Sequence, residues 1–424
     1  MIKIFNYNPE SMEKILNRSY SEADVSGAVR EIIENVVENG DKALFEYCEK
    51  FDGAKLAALR VSEEEMAEAL SQVSPEFIGV LKKSAANIRK FHEKQLRRGF
   101  EISDTEGIVI GQKVIPIENV GLYVPGGTAA YPSTVLMDAI PAKIAGVKRL
   151  VMVSPVKADG KIKPDIAAAA AVAGVDEIYK VGGAQAVAAL AYGTESIPKV
   201  DKIVGPGNAF VAEAKRQVFG RVSIDMIAGP SEILIVADEK SDARILAADM
   251  LSQAEHDKLA TAVLITDSEE LALKTAAELE KQLKTLPREE IARASIENNG
   301  KIIIVDNIEE GIDAANALAP EHFELSVDEP FKYLDLIKHA GSVFLGRNCP
   351  EALGDYYAGP NHTLPTGGSA RFSNPLSVDD FVKKTQFTYY TKDALEDAYK
   401  DIAFFARREG LDAHARSVEA RFTS

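Results

Sequence analysis

The stretch Val120-Gly121-Leu122-Tyr123-Val124-Pro125-Gly126-Gly127 sets the pattern for the middle of the chain. It is a short apolar run that ends in a glycine turn, and a helix-like segment follows it. A strand over residues 149–153 and a helix over residues 164–173 come next, and the same succession returns over residues 177–192 and again over residues 202–219, where the strand is residues 202–204. Strands that alternate with helices of this length are typical of right-handed β-α-β units, which build parallel sheets. The sequence therefore predicts an α/β domain over residues 120–231.

A second series of alternating strands and helices begins near Ile233 and ends near Leu345, with a helix predicted over residues 330–338 and a last strand over residues 342–345. A loop rich in glycine and proline (346–375) follows, and helical periodicity dominates near the N-terminus. We predict an α/β fold with two Rossmann-like domains, incomplete and doubly wound, plus N-terminal helices and a helical C-terminal arm. The predicted segments are an N-terminal arm (1–20), a discontinuous first α/β domain (21–119 and 232–376), a second α/β domain (120–231) and an arm read as helices only (377–424).

Composition narrows the class of partner. The chain has 424 residues, of which 46% are apolar, and its formal net charge is −16. A surface of this sign repels nucleic acid phosphates and anionic lipid, so a small substrate is the better expectation. The N-terminus does not resemble a signal peptide, and the longest apolar run, residues 166–175, is too short to span a bilayer. We expect a soluble, cytoplasmic protein.

Cys48 and Cys349 are the two cysteines of the chain. Two isolated thiols without C-x-x-C spacing fit a reducing compartment and provide neither a disulfide framework nor a cysteine metal site. Cys349 could act as a nucleophile, although nothing in the sequence indicates a lowered thiol pKa.

Gly205-x-Gly207 before a helix resembles the start of a dinucleotide-binding fingerprint, with Asp225 at the distance expected for a ribose contact. The third glycine position is Phe210, where the fingerprint requires Gly or Ala. We therefore predict that the true fingerprint is absent and assign Asp225 no cofactor role. The glycine turns either form an edge that accepts anions or serve packing alone.

Gln253 and His256 lie three residues apart at the end of a predicted helix (242–256), so their side chains project from nearly the same face. This pair could provide half of a metal site, or it could be an ordinary polar helix end. Of six histidines, His92 and His339 sit in amphipathic helices and are assigned no role. The other four lie among glycine, proline and carboxylates, which favours a functional interpretation.

Three further groups join this set. The adjacent Glu321 and His322 could divide two proton-transfer duties, or they could be a helix C-terminal pair. Asp355, in a long loop, is a candidate anionic metal ligand or a turn aspartate. Glu409 and His414 lie close together on the terminal arm, where they could also be a solvated helix end.

These segments resemble histidinol dehydrogenases along nearly the whole chain. The blocks that carry the resemblance are Gly121–Gly127, Val181–Ala186, Gly205–Phe210, Ala228–Glu232, Leu251–His256, Ala319–His322, Gly354–Tyr356, Asn361–His362 and Glu409–His414. So many ordered blocks make the match specific, although no single block would.

The resemblance implies an NAD-dependent enzyme with one zinc ion per subunit. It implies the following roles: Gln253, His256, Asp355 and His414 as zinc ligands that also face the substrate; Glu321 and His322 as the acid–base pair, with His322 also binding substrate; Tyr123, Gln185 and Asn208 as NAD contacts; Ser231 and Glu409 as substrate contacts. It further implies a homodimer with exchanged C-terminal arms, so that Glu409 and His414 serve the partner's site. His362 falls in a family block without an assigned role.

The implied reaction is the four-electron oxidation of L-histidinol to L-histidine through histidinal, the last steps of histidine biosynthesis. Three alternatives remain open from the residues. A zinc hydrolase would use Glu321 to activate a metal-bound water, a related dehydrogenase would oxidise another small alcohol such as a sulfonated diol, and a binding protein would lack catalysis. Retention of the acid–base pair and of every implied ligand favours the histidinol reaction.

Overall fold

The computed structural model describes residues 1–8, 24–126 and 131–422. The strands are β1 (Lys3–Asn6), β2 (Phe100–Ile102), β3 (Ile108–Pro116), β4 (Asn119–Tyr123), β5 (Arg149–Val153), β6 (Glu177–Tyr179), β7 (Lys202–Val204), β8 (Ser223–Ile224), β9 (Glu232–Ala237), β10 (Thr261–Thr266), β11 (Lys301–Ile304), β12 (His322–Ser326), β13 (Ser342–Leu345) and β14 (Val382–Tyr390). The longer helices are α1 (Ser26–Tyr47), α2 (Glu63–Ser71), α3 (Pro75–His92), α4 (Pro132–Ala145), α5 (Pro164–Ala173), α6 (Gly183–Tyr192), α7 (Ala209–Val218), α8 (Ala243–Ala254), α9 (Glu269–Leu283), α10 (Glu289–Asn298), α11 (Ile308–Leu318), α12 (Lys392–Arg408) and α13 (Asp412–Glu419).

The described chain forms two compact units. The larger unit contains residues 1–95 and 117–381, and the smaller contains residues 96–116 and 382–424. Two parallel sheets with helices between their strands make up the larger unit, which confirms the predicted α/β class. Within the described ranges, no helix is both long enough and apolar enough to cross a lipid bilayer.

Both parallel sheets of the larger unit follow one winding pattern. The five-stranded sheet has the order β6-β5-β4-β7-β8, and the six-stranded sheet has the order β1-β11-β10-β9-β12-β13. In each, the first strand of the series lies between the second and the fourth, as in a doubly wound dinucleotide-binding sheet that lacks its sixth strand. β1 extends the six-stranded sheet at its edge, where the sequence predicts only an arm; residues 9–20 of that predicted arm lie outside the described residues.

The N-terminal helices pack differently from the predicted division. The sequence predicts that residues 21–119 belong with the six-stranded sheet, but α1 buries Val29, Ile33 and Val36 in the same apolar cluster as α6 and α7 of the five-stranded sheet. Helical periodicity shows which face of a helix is apolar, not which sheet will cover it. Residues 96–116 belong to the smaller unit altogether.

The smaller unit is an antiparallel sheet of order β14-β3-β2 together with α12 and α13. The prediction that residues 377–424 are helices only is wrong, because Val382–Tyr390 pairs with β3 along its whole length. Most residues of β14 are exposed, so the strand carries no apolar alternation that the sequence could show. The Arg407 guanidinium donates to both carboxylate oxygens of Glu419 at 2.8 and 2.7 Å and so holds α12 against α13.

Two further differences concern local structure. Residues 330–338, predicted as a helix, form a 3₁₀ segment, Pro330–Leu336, and helix α10 was not predicted. The predicted loop 346–375 contains a one-turn helix, Glu351–Leu353, and a π-type turn, Gly354–Ala358, that carries Asp355. This loop supplies several of the polar groups described next.

Candidate active site

A cluster of polar side chains lies at the amino ends of β9 and β12. These strands are parallel neighbours, with His322 opposite Ile233. Ser231 directly precedes β9, and Glu321 directly precedes β12. Because parallel strands present their amino ends at one edge of the sheet, residues that are some 90 positions apart in sequence meet there.

His322 is held through one ring nitrogen and free at the other. Its Nδ1 lies 2.8 Å from the Glu232 carbonyl oxygen, which can only accept, so Nδ1 carries the hydrogen. Its Nε2 is buried and has no hydrogen-bond partner among the described residues. Asp355 Oδ1 lies 3.9 Å and Glu351 Oε1 4.0 Å from this Nε2. The free lone pair therefore points among acidic groups, where it can accept a proton or bind a cation.

Glu321 shares its anchor with His322. The Glu232 backbone N–H donates to Glu321 Oε2 at 2.9 Å, and the same oxygen lies 3.7 Å from His322 Nδ1. Burial raises the pKa of Glu321 to about 8, so the metal-free protein holds it mainly as the neutral acid at pH 7. One residue of β9 thus fixes both members of the predicted acid–base pair through its backbone.

Gln253 and His256 lie at the end of α8, which Asp242 caps at its start by accepting from the Arg244 N–H. Gln253 is almost fully buried, and the His256 N–H donates to the Gln253 carbonyl in the turn after the helix. Burial lowers the pKa of His256, with the Asp355 carboxylate opposing that effect. His256 is therefore mainly neutral at pH 7, the form in which imidazole binds metals.

Asp355 is positioned by helix α3. The Ser84 hydroxyl donates to the Tyr356 carbonyl at 2.6 Å, and the Asn87 amide donates to the Tyr357 carbonyl at 2.8 Å. Gly359 closes this turn with φ of +112°, and a Cβ there would lie 2.6 Å from the Asn87 carbonyl oxygen. The N-terminal helices thus hold the loop that carries the aspartate, which the sequence did not show.

His362 joins the cluster through Asp355, whose Oδ1 lies 3.8 Å from its Nδ1. Its neighbours anchor it to helix α4 of the five-stranded sheet. The Asn361 amide donates to the Met137 carbonyl at 2.7 Å, and the Thr363 hydroxyl donates to Asp138 at 2.8 Å. These two bonds tie the polar cluster to the other parallel sheet of the larger unit.

The donor atoms of His322, Glu351 and Asp355 lie within 4.8 Å of one another. An unpartnered imidazole nitrogen between two carboxylates suits a divalent cation such as zinc, which accepts nitrogen and oxygen donors. Of the four predicted ligands, Asp355 belongs to this triad, Gln253 contacts Glu351, and His256 interacts electrostatically with Asp355 and His322. The fourth, His414, and the predicted substrate contact Glu409 are exposed residues of the smaller unit.

The predicted NAD contacts lie at the carboxyl edge of the five-stranded sheet. Tyr123 ends β4 and its hydroxyl accepts from the Gly183 N–H at 3.0 Å, while Gln185 is buried in the first turn of α6. The exposed Asn208 caps α7, since its Oδ1 accepts from the N–H groups of Phe210 at 3.1 Å and Val211 at 3.2 Å. The structure thus brings the three predicted contacts to one edge.

Packing accounts for the glycines at this edge. A Cβ on Gly126 or on Gly182 would lie 2.5 Å from the Pro155 ring, and a Cβ on Gly205 would lie 2.1 Å from the Tyr123 carbonyl oxygen. Three strand ends therefore approach so closely that no side chain fits between them. The packing interpretation suffices for these positions, whether or not a phosphate also binds there.

Asp225 has a structural role. It forms a buried ion pair with Lys215 and accepts from the Gly205 N–H at 2.7 Å, so it stabilises the glycine turn that follows β7. The side chain of Phe210 is 40% exposed at the position where the fingerprint requires a small residue. The expectation that the fingerprint is absent agrees with this packing.

Neither thiol is suited to attack. Burial raises the pKa of Cys349 and raises that of Cys48 to about 12, whereas a nucleophilic cysteine needs a lowered pKa. The nucleophile alternative for Cys349 therefore lacks support.

Glu351 is the site residue that sequence reasoning missed. It is 3% exposed, lies beside His322 and Asp355, and contacts Gln253. A signal was present, since Glu351 and Asp355 are four residues apart, a spacing that stacks two side chains within one helical turn. The glycine- and proline-rich composition around them hid that turn.

The fold and this cluster define a two-sheet α/β enzyme whose reactive groups are imidazoles and carboxyl groups. Comparison with known proteins agrees with the fold and gives the family. The model of the histidinol dehydrogenase family matches residues 16–422. The chain belongs to the histidinol dehydrogenase family, and it is an oxidoreductase.

Individual relatives align along nearly their whole length. The histidinol dehydrogenase of Bacillus thuringiensis subsp. konkukian is 57% identical over 421 residues, covering 99% of this chain and 96% of the relative. That of Lactiplantibacillus plantarum is 54% identical over 424 residues, covering 99% of each. The crystal structure of histidinol dehydrogenase from Elizabethkingia anophelis superposes with a TM-score of 0.94 at 40% identity, covering 99% of this chain and 98% of that one. The resemblance read from the sequence is confirmed.

Proposed function

We propose that this enzyme oxidises L-histidinol to L-histidine through histidinal, with two NAD⁺ as acceptors. In balance, one alcohol, one water and two NAD⁺ give one carboxylate, two NADH and three protons. The observation that carries the proposal is His322, whose Nδ1 hydrogen is fixed by the Glu232 carbonyl while Nε2 is left free and buried. An imidazole in this state has a free nitrogen that is already oriented to accept a proton from a bound substrate.

The metal proposed is one zinc ion per subunit. Gln253, His256 and Asp355 would hold it, joined by His414 of the partner subunit. When bound, zinc supplies a positive charge and free positions for neutral nitrogen donors, such as the imidazole and amine of histidinol. The neutral state of His256 and the acidic surroundings of His322 support this placement.

The protein groups divide the proton transfers. His322 Nε2 accepts the hydroxyl proton while hydride leaves the alcohol carbon for NAD⁺. Glu321, once ionised, accepts a proton from the water that adds to the aldehyde, and His322 accepts the hydroxyl proton of the resulting hydrate in the second oxidation. Substrate held at two nitrogens stays in place between the two steps.

Substrate and cofactor contacts complete the proposal. Tyr123, Gln185 and Asn208 contact NAD, so residues 120–231 serve as the cofactor-binding part of the larger unit. Ser231, at the amino end of β9, contacts histidinol from the side of the acid–base pair, and Glu409 of the partner subunit contacts its imidazole.

The direct test is product stoichiometry. Protein incubated with histidinol and NAD⁺ is expected to form two NADH per histidinol, to lose this activity on chelation and to regain it with zinc. A sulfonated diol should give no NADH. Activity on the diol but not on histidinol, or hydrolysis without any NADH, would replace the proposal with one of the alternatives.

Glu321→Gln is expected to separate the two oxidations. The Gln carbonyl can still accept from the Glu232 N–H, so the fold should persist, but no carboxylate is left to activate water. Oxidation of histidinal should fall about 10²–10⁴-fold, while a first NADH per site still forms from histidinol. Stopped-flow NADH absorbance with each substrate measures both steps.

The exposed Glu329→Gln provides the control for a change of glutamate to glutamine and should match wild type. The assignment of Glu321 is wrong if histidinol oxidation stops while histidinal oxidation continues.

The smaller unit supports the proposed exchange of arms. Helices α12 and α13 expose apolar side chains, among them Phe404 at 69% and Phe405 at 67%, around a groove that Glu409 and His414 also line. A contiguous apolar surface beside exposed polar groups is typical of a protein interface. We infer that a second copy of this chain covers it and receives Glu409 and His414 in its site.

Complementation between two inactive variants tests this exchange. Asp355→Ala and His414→Ala should each be inactive alone. In a mixed dimer, one site would combine an intact Asp355 with an intact His414 from the partner. Random re-association should therefore restore about a quarter of wild-type sites. Activity and zinc content after co-expression measure the recovery.

The matched control pairs Asp355→Ala with Gln253→Ala, both in the larger unit, and should restore nothing. If the Asp355→Ala and His414→Ala mixture also stays inactive although mixed dimers form, His414 acts within its own chain.

A further inference from the structure

Glu351 lies behind Gln253 at the edge of the polar cluster. Its backbone N–H donates to Glu324 Oε1 at 2.7 Å, and its side chain is buried. The Ser252 hydroxyl donates to Glu351 Oε2 at 3.1 Å. The carboxylate is thus fixed by neighbours on β12 and α8 and has little freedom to move.

The Gln253 amide faces this carboxylate. When Glu351 is ionised it only accepts hydrogen bonds, so the amide nitrogen of Gln253, not the oxygen, then points toward it. In this orientation the nitrogen donates to Glu351 Oε2 at 3.0 Å and to Oε1 at 2.6 Å. The amide oxygen, the atom of that group with lone pairs for a cation, is then turned away from Glu351.

This orientation matters because an amide is an ambiguous ligand. A glutamine side chain can rotate by half a turn at little cost and present NH₂, which repels a cation, in place of oxygen. Histidine ligands are fixed in the same way by a partner on their second nitrogen, and loss of such partners lowers metal affinity. Glu351 fixes the orientation of the Gln253 amide in the same way.

We propose that Glu351 is a positioning residue that fixes the Gln253 amide with its oxygen toward the metal, and that it is not itself a ligand. The inference rests on the proposed function, since it takes Gln253 as a zinc ligand. Glu351 Oε1 lies 4.0 Å from His322 Nε2, so direct metal binding by Glu351 is the competing interpretation that the experiment must exclude.

Glu351→Gln tests the proposal on the purified, metal-depleted protein. Two facing amides can rotate together, so the variant should bind Zn²⁺ and Co²⁺ about 10–100-fold more weakly than wild type in competition with a chromogenic chelator. The visible spectrum of the saturated Co²⁺ form should be unchanged, because the ligand set stays the same. The exposed Glu239→Gln should match wild type in both measurements.

A double-variant cycle separates positioning from ligation. In a Gln253→Ala background, Glu351→Gln should have no further effect on metal affinity, because there is no amide left to orient. Additive losses, or a shifted Co²⁺ spectrum in the single variant, would make Glu351 a ligand and overturn the proposal. Affinity equal to wild type would overturn it as well. Absence of metal binding by the wild type would instead refute the proposed function.

Discussion

His322→Asn is expected to lower kcat for both oxidations by about 10²–10⁴-fold, the contribution typical of a general base. The asparagine amide can replace Nδ1–H as the donor to the Glu232 carbonyl, so the local backbone stays as it is. What disappears is Nε2, the buried nitrogen without a partner. Steady-state and single-turnover NADH formation from histidinol and from histidinal measure the loss.

His322→Gln is the complementary variant. Its amide can reach the position of Nε2 but does not reproduce a basic nitrogen, so it should be as inactive as His322→Asn while its thermal unfolding differs. His339→Asn, at a histidine outside the cluster, should retain full activity. The role of His322 is wrong if His322→Asn keeps more than about a tenth of wild-type kcat, since a general base contributes at least about 10²-fold.

Asp355→Ala is expected to abolish zinc retention and, with it, activity. Removing a residue that hydrogen-bonds to a metal ligand lowers metal affinity about 10–100-fold. Removing a charged ligand itself should therefore lower zinc affinity by more than about 100-fold. Metal analysis after gel filtration and calorimetric titration of the depleted protein with zinc measure the effect.

Asp335→Ala, an exposed aspartate in the 3₁₀ segment, controls for loss of one negative charge and should bind zinc as wild type does. Thermal unfolding of the metal-free proteins separates loss of ligation from loss of fold. Asp355 is not a ligand if the variant binds zinc with unchanged affinity yet loses activity.

The α/β class followed directly from the sequence because most of the strands from β4 to β13 are apolar runs, and helices lie between most of them. The boundaries of β5, α5, β7 and β13 match the predicted segments to the residue. Strand β14 was missed because its side chains are mostly exposed and show no alternation. Periodicity reports burial, so an exposed strand that is held by backbone pairing alone leaves no trace in it.

The proposed ligand and acid–base positions came from the family resemblance, whereas the residues that hold them in place did not. Glu351, Asn361 and Thr363 act through hydrogen bonds to residues far away in the chain, such as Gln253 and Asp138. A single sequence contains no record of such pairings.

The sequence also did not show at which end of its strands each sheet carries the proposed site residues. In doubly wound sheets, ligands bind beyond the carboxyl ends of the strands, and the proposed NAD contact Tyr123 lies at that end of β4. His322 instead begins its strand, so the polar cluster lies at the opposite, amino end of the six-stranded sheet.

The shared anchor on Glu232 has a consequence for the fate of the aldehyde. Its N–H holds Glu321 and its carbonyl holds His322, so a slip of β12 against β9 would displace both groups at once. Under the proposed function, such a slip removes the base and the water-activating carboxyl group together, so both oxidations would stop at once and no aldehyde would be released.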